Sequence, residues 1–125
     1  FIMIKEILLV GLGGGVGSIL RYLGTVYSNK LFHTFFPVGT FFVNILGCFL
    51  IGLLIGLIEH QQVLSVNHRL LLVTGFCGGF TTFSAFSAES LALFESGNII
   101  GGGLYITVSV SVGLLAVWLG VLLLK

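Results

Sequence analysis

The chain has 125 residues, of which 57% are hydrophobic and only 7% are charged, and its formal net charge is +1. An average soluble domain is about 25% charged, so this composition excludes a soluble enzyme and a disordered segment. It indicates an integral membrane protein with a single domain, residues 1–125. The small positive charge, without a basic run, gives no sign of nucleic-acid binding.

Four apolar stretches are long enough to cross a bilayer, which takes about 20 mostly apolar residues. They predict an all-α fold with helices at about 4–27, 39–58, 70–94 and 99–124. The stretches are too long, and alternate too little, for the strands of a membrane barrel. The connections between them are short, so consecutive helices are predicted to run antiparallel.

Glycines spaced i,i+4 recur in the first three helices. Small residues at this spacing let membrane helices approach closely. The glycine-rich segment 11–17 lacks the third glycine of a dinucleotide-binding loop and the Gly-Lys-Ser/Thr of a phosphate-binding loop. We therefore expect helix packing rather than nucleotide binding. The pairs are Gly11/Gly15, Gly13/Gly17, Gly52/Gly56 and Gly75/Gly79.

The basic residues near the helix ends give little sign of a preferred orientation. Alternation of the helices puts Lys5, Arg69 and Lys125 on one side of the membrane, and Arg21 and Lys30 on the other. Orientation follows the Lys/Arg asymmetry between loops, which is almost absent here. Two interpretations stay open: the chain inserts both ways up, or other features set a single orientation.

The second helix carries Thr40 and Asn44, one turn apart on one face. Polar groups in hydrocarbon are costly unless they find partners. The Asn44 amide offers two N–H donors near the middle of the span. It serves either as an interhelical hydrogen bond or as a contact to an ion or ligand in a pore.

The third helix is predicted to break, because Gly78-Gly79 followed by Thr81-Thr82 is a poor continuous helix. A break inside a membrane is tolerated only where it lines a cavity or is buried in protein. The free carbonyl and N–H groups at such breaks bind ions. The alternative is an unbroken, glycine-rich helix crossing.

Aromatic, hydroxyl and acidic side chains follow this segment. Phe83 and Phe86 share a helix face, and the positive edges of their rings suit a small anion, although aromatic pairs are also ordinary core or lipid contacts. Ser84 adds a hydroxyl donor. Glu89 is either a solvated acid at the membrane interface or a buried acid that needs a partner, for which Arg21 is a candidate.

The fourth helix carries Tyr105, Ser109 and Gly113 at i,i+4 steps, which indicates either a row of hydroxyls along a pathway or a helix contact. Cys48 and Cys77 fall inside apolar stretches and are predicted to be small buried side chains rather than a disulfide. No histidine in the sequence has metal-ligand spacing, and no catalytic constellation is present. The chain is predicted not to be an enzyme.

Three segments carry a family resemblance. They read Gly-Gly-Gly-Val-Gly-Ser-Ile-Leu-Arg-Tyr at 13–22, Gly-Thr-Phe-Phe-Val-Asn-Ile-Leu-Gly at 39–47, and Gly-Phe-Cys-Gly-Gly-Phe-Thr-Thr-Phe-Ser-Ala-Phe-Ser-Ala-Glu at 75–89. Together they resemble the Fluc (CrcB) fluoride channels of microbes. The resemblance implies a passive, fluoride-selective channel in the cytoplasmic membrane that lowers cytoplasmic fluoride.

The resemblance also implies an assembly and a set of pore residues. The channel would be an antiparallel, dual-topology homodimer in the lipid bilayer, with two fluoride pores and a third helix broken in mid-membrane. The fluoride pore residues would be Asn44 as donor, Phe83 and Phe86 as pore-facing rings, and Thr40, Ser84, Tyr105 and Ser109 on the polar side.

Further positions follow from the same resemblance. Backbone carbonyls of Gly78 and Thr81 would hold a structural Na⁺ on the two-fold axis of the dimer. Arg21 and Glu89 would have a vestibule or structural role. Gly113 stands where the family has a further hydroxyl, so that part of the pathway departs from the family pattern.

Two other functions would also suit a small membrane protein. A dual-topology exporter of the small multidrug type also has four short helices, but it relies on a membrane-embedded Glu in the first helix, and here Glu6 stands at the helix start. A membrane assembly subunit that transports nothing would carry no ion flux after purification.

Overall fold

The computed structural model describes residues 2–34, 36–61 and 64–124. In these ranges four helical spans are long and apolar enough to cross a membrane: Met3–Leu31, Val38–His60, Val66–Glu95 and Ile99–Leu123. The predicted all-α architecture and the number of spans are therefore confirmed. Lys125, one of the basic residues at the predicted helix ends, lies outside the described residues.

The third span is divided into two parts. Helix α1 covers Ile2–Leu31, and α2 covers Val38–Gly56, continued by a π-helical turn at Leu57–Gln61. The first part of the third span, α3, joins the segments Val66–Arg69, Leu70–Cys77 and Gly78–Phe80, of which the middle one is π-helical. The second part is α4, Phe83–Glu95, and the fourth span is α5, Ile99–Leu123.

Two spans extend beyond their predicted bounds at polar ends. The prediction ended the first helix at 27, whereas α1 continues through Ser28 and Lys30 to Leu31. It began the third helix at 70, whereas α3 starts after Ser65, whose hydroxyl accepts the His68 N–H at 3.3 Å. Hydropathy marks only the apolar part of a span, so it does not detect turns that continue into polar flanking sequence.

A tight turn sets α4 and α5 antiparallel. Gly97 adopts a φ of +89°, a conformation that suits glycine after a helix end. The N–H groups of Gly97 and Asn98 then bond back to the carbonyls of Phe94 and Leu93, at 3.1 and 3.0 Å. The Asn98 side chain accepts the Gly101 N–H at 2.9 Å and so caps α5. The chain reverses here within three residues, as the short third loop predicted.

Glycines bring the helices into backbone contact along two seams. Between α1 and α3, a Cβ added to Gly13 or Gly17 would overlap the carbonyl of Leu71 or Phe76, respectively. Between α2 and α5, a Cβ added to Gly120 would lie 2.5 Å from the Phe49 carbonyl oxygen. Small residues at these positions therefore fix the spacing of two helix pairs.

One predicted glycine pair does not pack within the chain. No atom of the described residues lies within 4 Å of the position that a Cβ would take on Gly11 or Gly15, and both glycines are exposed. The pair Gly13/Gly17 lies on the face of α1 that meets α3, and Gly11/Gly15 lies on an open face. Contact within the chain is therefore not the role of Gly11/Gly15, because spacing alone does not say which face of a helix is covered by its own chain.

Candidate functional site

The interruption of the third span is an extended stretch of two residues. Thr81 has φ −88° and ψ 157°, and Thr82 has φ −146° and ψ 124°. Thr82 also begins α4, because its hydroxyl accepts the Ala85 N–H at 3.2 Å. A threonine at this position satisfies one of the N–H groups that the first turn of a helix leaves free.

Asn44 binds both polar groups of the Thr82 backbone. Its Nδ2 donates to the Thr82 carbonyl at 3.0 Å, and its Oδ1 accepts the Thr82 N–H at 2.8 Å. A side-chain amide has the same donor and acceptor as a peptide, so Asn44 takes the place of a backbone partner at the break. One of its two N–H groups remains, and it has no partner among the described residues.

The break also releases the two carbonyls assigned to Na⁺ by resemblance. The Thr82 N–H, which would close a helical bond to Gly78, donates to Asn44 instead. The Ala85 N–H, which would reach back to Thr81, donates to the Thr82 hydroxyl. Unwound carbonyls at a broken helix are the ligands that bind Na⁺ in membrane proteins. The carbonyl oxygens of Gly78 and Thr81 are therefore suitable ligands for this ion.

A cavity of about 320 Å³ lies beside the break, and we call it the Asn44 cavity. Its wall includes Asn44, Thr82, Phe83, Phe86 and Ser109. The Ser109 hydroxyl oxygen is the buried side-chain polar atom that lacks a hydrogen-bond partner in the described part of the chain. Buried polar atoms are nearly always paired, so this hydroxyl is available to bind a water molecule, an ion or another group in the cavity.

The two phenylalanines differ in their exposure. The rings of Phe83 and Phe86 lie 6.0 Å apart between centroids, tilted by 44°. Phe86 is 9% exposed and packs against Tyr105 at 5.1 Å, whereas Phe83 is 79% exposed. The predicted shared face is therefore present, but the chain encloses only one of the two rings.

Glu89 joins three helices. Its carboxylate accepts the Thr40 hydroxyl from α2 at 2.9 Å and the Tyr105 hydroxyl from α5 at 3.2 Å. Thr40 and Tyr105 are both buried. Glu89 is half-buried with two partners, so it is not a freely solvated interfacial acid. The two hydroxyls that the resemblance gave to fluoride point at this carboxylate.

Arg21 has a backbone partner. Its Nε donates to the Gly79 carbonyl at 3.0 Å, near the end of α3. A cation at a helix C-terminus is favourable, because the last carbonyls carry partial negative charge. Arg21 also lines a cavity of about 190 Å³ with Thr40, Thr82 and Glu89. The structure thus places Arg21 near Glu89 but gives its Nε a different partner.

A larger cavity of about 590 Å³ opens on the other side of Glu89, and we call it the mouth cavity. Its polar wall includes Asn29 near the end of α1, Thr34 in the first connection, and Ser96 and Asn98 in the third. The sequence analysis did not single out these side chains as site residues. Glu89 lies on the wall of both the mouth cavity and the smaller inner cavity.

Ser84 lies outside this arrangement. It is exposed, its hydroxyl is 3.4 Å from the Thr82 hydroxyl, and it is not among the residues that form the wall of the Asn44 cavity. The structure therefore brings together Asn44, Phe83, Phe86 and Ser109 in one cavity, and Thr40, Tyr105 and Glu89 in a hydrogen-bonded group. It does not place Ser84 in either group.

Comparison with known proteins agrees with the motifs. The family model described as "CrcB-like protein, Camphor Resistance (CrcB)" matches residues 8–121. The fluoride-specific ion channel FluC of Flavobacterium psychrophilum is 50% identical over 121 residues, which are 97% of this chain and 98% of that protein. FluC of Azobacteroides pseudotrichonymphae is 46% identical over 121 residues, 97% of either chain.

A third relative gives the same result. FluC of Phocaeicola vulgatus is 50% identical over 117 residues, 94% of this chain and 96% of that protein. The resemblance seen in the three sequence segments is thereby confirmed at the level of the family. With a family model and near full-length relatives both matched, the chain belongs to the CrcB-like protein family.

Proposed function

We propose that this chain is a passive, fluoride-selective channel of the cytoplasmic membrane, through which fluoride leaves the cell. Support comes from relatives named fluoride-specific ion channels, at 46–50% identity over nearly the full length. The observation that carries the proposal is the partnerless Ser109 hydroxyl on the wall of the Asn44 cavity. A hydroxyl in that state is a donor for an anion.

The chemistry of the Asn44 cavity suits fluoride. A small, strongly hydrated anion must receive enough donors to offset its dehydration, yet it must be bound weakly enough to leave. The remaining Asn44 N–H, the Ser109 hydroxyl and the positive ring edges of Phe83 and Phe86 offer such donors. Among the described residues on the cavity wall there is no Lys or Arg that would hold the anion as a fixed cation.

The Glu89 group is a second section of the proposed pathway. The Thr40 and Tyr105 hydroxyls donate to Glu89. Each can therefore donate to fluoride only after its hydrogen bond to the carboxylate is broken. We place this group between the Asn44 cavity and the mouth cavity, because Phe86 contacts Tyr105 and Glu89 borders the mouth. Arg21, beside the inner cavity, adds positive charge near this section.

We further propose an antiparallel homodimer. The Phe83 ring is 79% exposed and Gly78 is exposed, so one chain leaves both sides of the break uncovered. A second copy related by a two-fold axis in the membrane plane would cover them with the same surface. The near-equal Lys/Arg counts at the helix ends are consistent with insertion both ways up. The break, at the middle of the span Val66–Glu95, would then lie in mid-membrane.

Na⁺ enters as part of this dimer proposal. The Gly78 and Thr81 carbonyls, freed by the Asn44 and Thr82 contacts, would hold it where two copies meet. A bound Na⁺ would supply a fixed positive charge between the two broken helices. The contribution of the chain is to keep these carbonyls out of helical hydrogen bonds. Asn44 does so for Gly78 by accepting the Thr82 N–H, and the Thr82 hydroxyl does so for Thr81 by accepting the Ala85 N–H.

Ser109→Ala tests the observation that carries the proposal. We expect fluoride efflux from proteoliposomes to fall about tenfold, since a hydrogen bond to a charged group is worth about 1.5–3 kcal/mol. Stability should not change, because the hydroxyl has no protein partner to lose. The matched control is Ser111→Ala, the same change two residues on at an exposed position of α5.

The readout is a fluoride-selective electrode, with chloride efflux measured in parallel. Equal efflux from Ser109→Ala and Ser111→Ala would remove this hydroxyl from the pathway. Chloride efflux as fast as fluoride efflux from the unaltered protein would contradict fluoride selectivity itself.

A further inference from the structure

The Asn44 cavity has two sulfur atoms on its wall. Cys48 lies on α2, one turn after Asn44, and Cys77 ends the π-helical segment of α3. Both cysteines are free. They differ in access, since Cys77 is 2% exposed, whereas Cys48 is half-buried. A reagent in the cavity would therefore meet Cys48 before Cys77.

Gly113 keeps space open next to the Cys48 thiol. A Cβ added to Gly113 would lie 3.5 Å from Cys48 Sγ, at ordinary contact distance. With a hydrogen in place of that Cβ, the region beside the sulfur is not filled from α5. Gly113 follows Ser109 by one turn, so the thiol adjoins the part of the wall that carries the partnerless hydroxyl.

The Ser109 hydroxyl gives the cavity a hydrogen-bond donor for a ligand. Its oxygen is buried, lacks a partner and borders the same space as Cys48. Cys48 follows Asn44 by one turn on the same helix face and lines the same cavity as Ser109, so an anion that reaches Ser109 would enter the space that the Cys48 thiol borders.

We propose that the Cys48 thiol is a modification site on the wall of the fluoride pathway, and that a small thiol-directed reagent reacting there blocks permeation. The inference rests on the proposed function. The probe is methyl methanethiosulfonate. The Cys48 sulfur, having given its proton to solvent, attacks the sulfenyl sulfur of the reagent, an S–S bond forms, the S–SO₂ bond breaks, and methanesulfinate leaves. A methylthio group then stands in the space beside Gly113.

The test compares each protein before and after treatment. In proteoliposomes we expect treatment to lower fluoride efflux of the unaltered protein at least about tenfold, which is about 1.4 kcal/mol added to the barrier. Cys48→Ala should keep its own untreated rate after treatment, and Cys77→Ala should lose efflux as the unaltered protein does. Equal block of Cys48→Ala and the unaltered protein would overturn the assignment to Cys48.

Two further measurements keep the inference separate from the proposed function. Mass spectrometry should find one methylthio group on Cys48 of the unaltered protein, and Gly113→Val, which places methyl groups beside the sulfur, should slow that labelling. Fully labelled Cys48 with full efflux would overturn the inference, as would a Cys48 that does not react. A protein that passes no fluoride before treatment would instead contradict the proposed function, whatever its labelling.

Discussion

The two parts of the third span are held in different ways. Helix α3 lies against α1 through glycines, and a Cβ on Gly79 would lie 2.5 Å from the Gly14 carbonyl oxygen. Helix α4 is connected to α2 and α5 through side chains, by the hydrogen bonds of Glu89 to Thr40 and Tyr105. Backbone contact fixes the position of α3 against α1. The side chains that hold α4 can instead break their hydrogen bonds and bind another partner.

Because of this difference, α3 positions the break and α4 presents the side chains next to it. A helix fixed at backbone distance gives the break a rigid position. The helix after the break presents Phe83, Phe86 and Glu89, whose contacts are with side chains or with open space. Substitutions in the α1/α3 seam should therefore act on stability, and substitutions around α4 should act on fluoride efflux.

The largest expected effect is on the α1/α3 seam. Gly17→Ala places a methyl group against the Phe76 carbonyl and within 2.9 Å of the Phe80 N–H nitrogen. Neither atom can move without shifting α3, so we expect a loss of about 3 kcal/mol or more of stability. Thermal unfolding in detergent measures it.

Gly15→Ala is the matched control, since it makes the same change on the same helix where no atom lies within 4 Å. It should unfold at the same temperature as the unaltered protein or at a somewhat higher one, because Ala favours a helix over Gly by up to about 1 kcal/mol. Similar losses in both variants would contradict the assignment of the Gly17→Ala loss to contact with α3.

Asn44→Asp comes next in size and tests the break from the side of α2. The change keeps an acceptor for the Thr82 N–H but sets a carboxylate against the Thr82 carbonyl and removes both donors. We expect fluoride efflux to fall at least about 100-fold, since loss of donors and repulsion of the anion together exceed about 2.7 kcal/mol. Asn67→Asp, at an exposed position outside the cavities, should retain efflux. Normal efflux through Asn44→Asp would remove Asn44 from the pathway.

The two rings allow stability and permeation to be separated. Phe83→Ile alters an exposed ring and Phe86→Ile a buried one. Both should slow fluoride efflux, because each removes a ring edge from the Asn44 cavity. Within one chain only the Phe86 ring is enclosed, so Phe86→Ile should also lower the stability of the fold, by about 1–2 kcal/mol, whereas a stability loss in Phe83→Ile would come from the proposed dimer contact. Unfolding temperature and efflux are measured on the same preparations, and a stability loss of equal size in Phe83→Ile would mean that this ring is buried in the assembly.

The smallest effect concerns the first turn of α4. Thr82→Val removes the hydroxyl that accepts the Ala85 N–H and should cost about 1 kcal/mol. Thr82→Ser keeps the cap and is the control. If both variants are equally stable, the hydroxyl does not contribute to the start of the helix, and the Asn44 contacts alone hold the break.

Sequence alone was sufficient for features that depend on local composition. Apolar length predicted the four spans, and the Gly78-Gly79-Thr81-Thr82 pattern predicted an interruption where the extended residues occur. Both predictions rest on properties of residues that are adjacent in sequence. The spans follow from the hydrophobicity of each stretch, and the interruption follows from the low helix propensity of glycine and threonine.

Contacts between residues that are far apart in sequence could not be predicted. Asn44 and Thr82 are 38 residues apart and Thr40 and Glu89 are 49 apart, so nothing local indicated that an amide would bind a peptide or that two hydroxyls would share one carboxylate. The same spacing rule fitted Gly11/Gly15 and Gly13/Gly17, yet only the second pair meets α3. Which face of a helix is covered depends on the arrangement of the other helices.

The two hydrogen bonds between Asn44 and Thr82 also constrain the number of residues that can connect α3 to α4. Each residue added to or removed from the extended stretch between Phe80 and Phe83 would displace α4 by about 3.3 Å and change its rotation about its axis, while Asn44 continued to hold a single peptide. The aromatic rings and the acid would then all point in new directions together. A surface loop tolerates insertions and deletions, but this two-residue connection should not. Its length determines which side chains of α4 face α2 and α5.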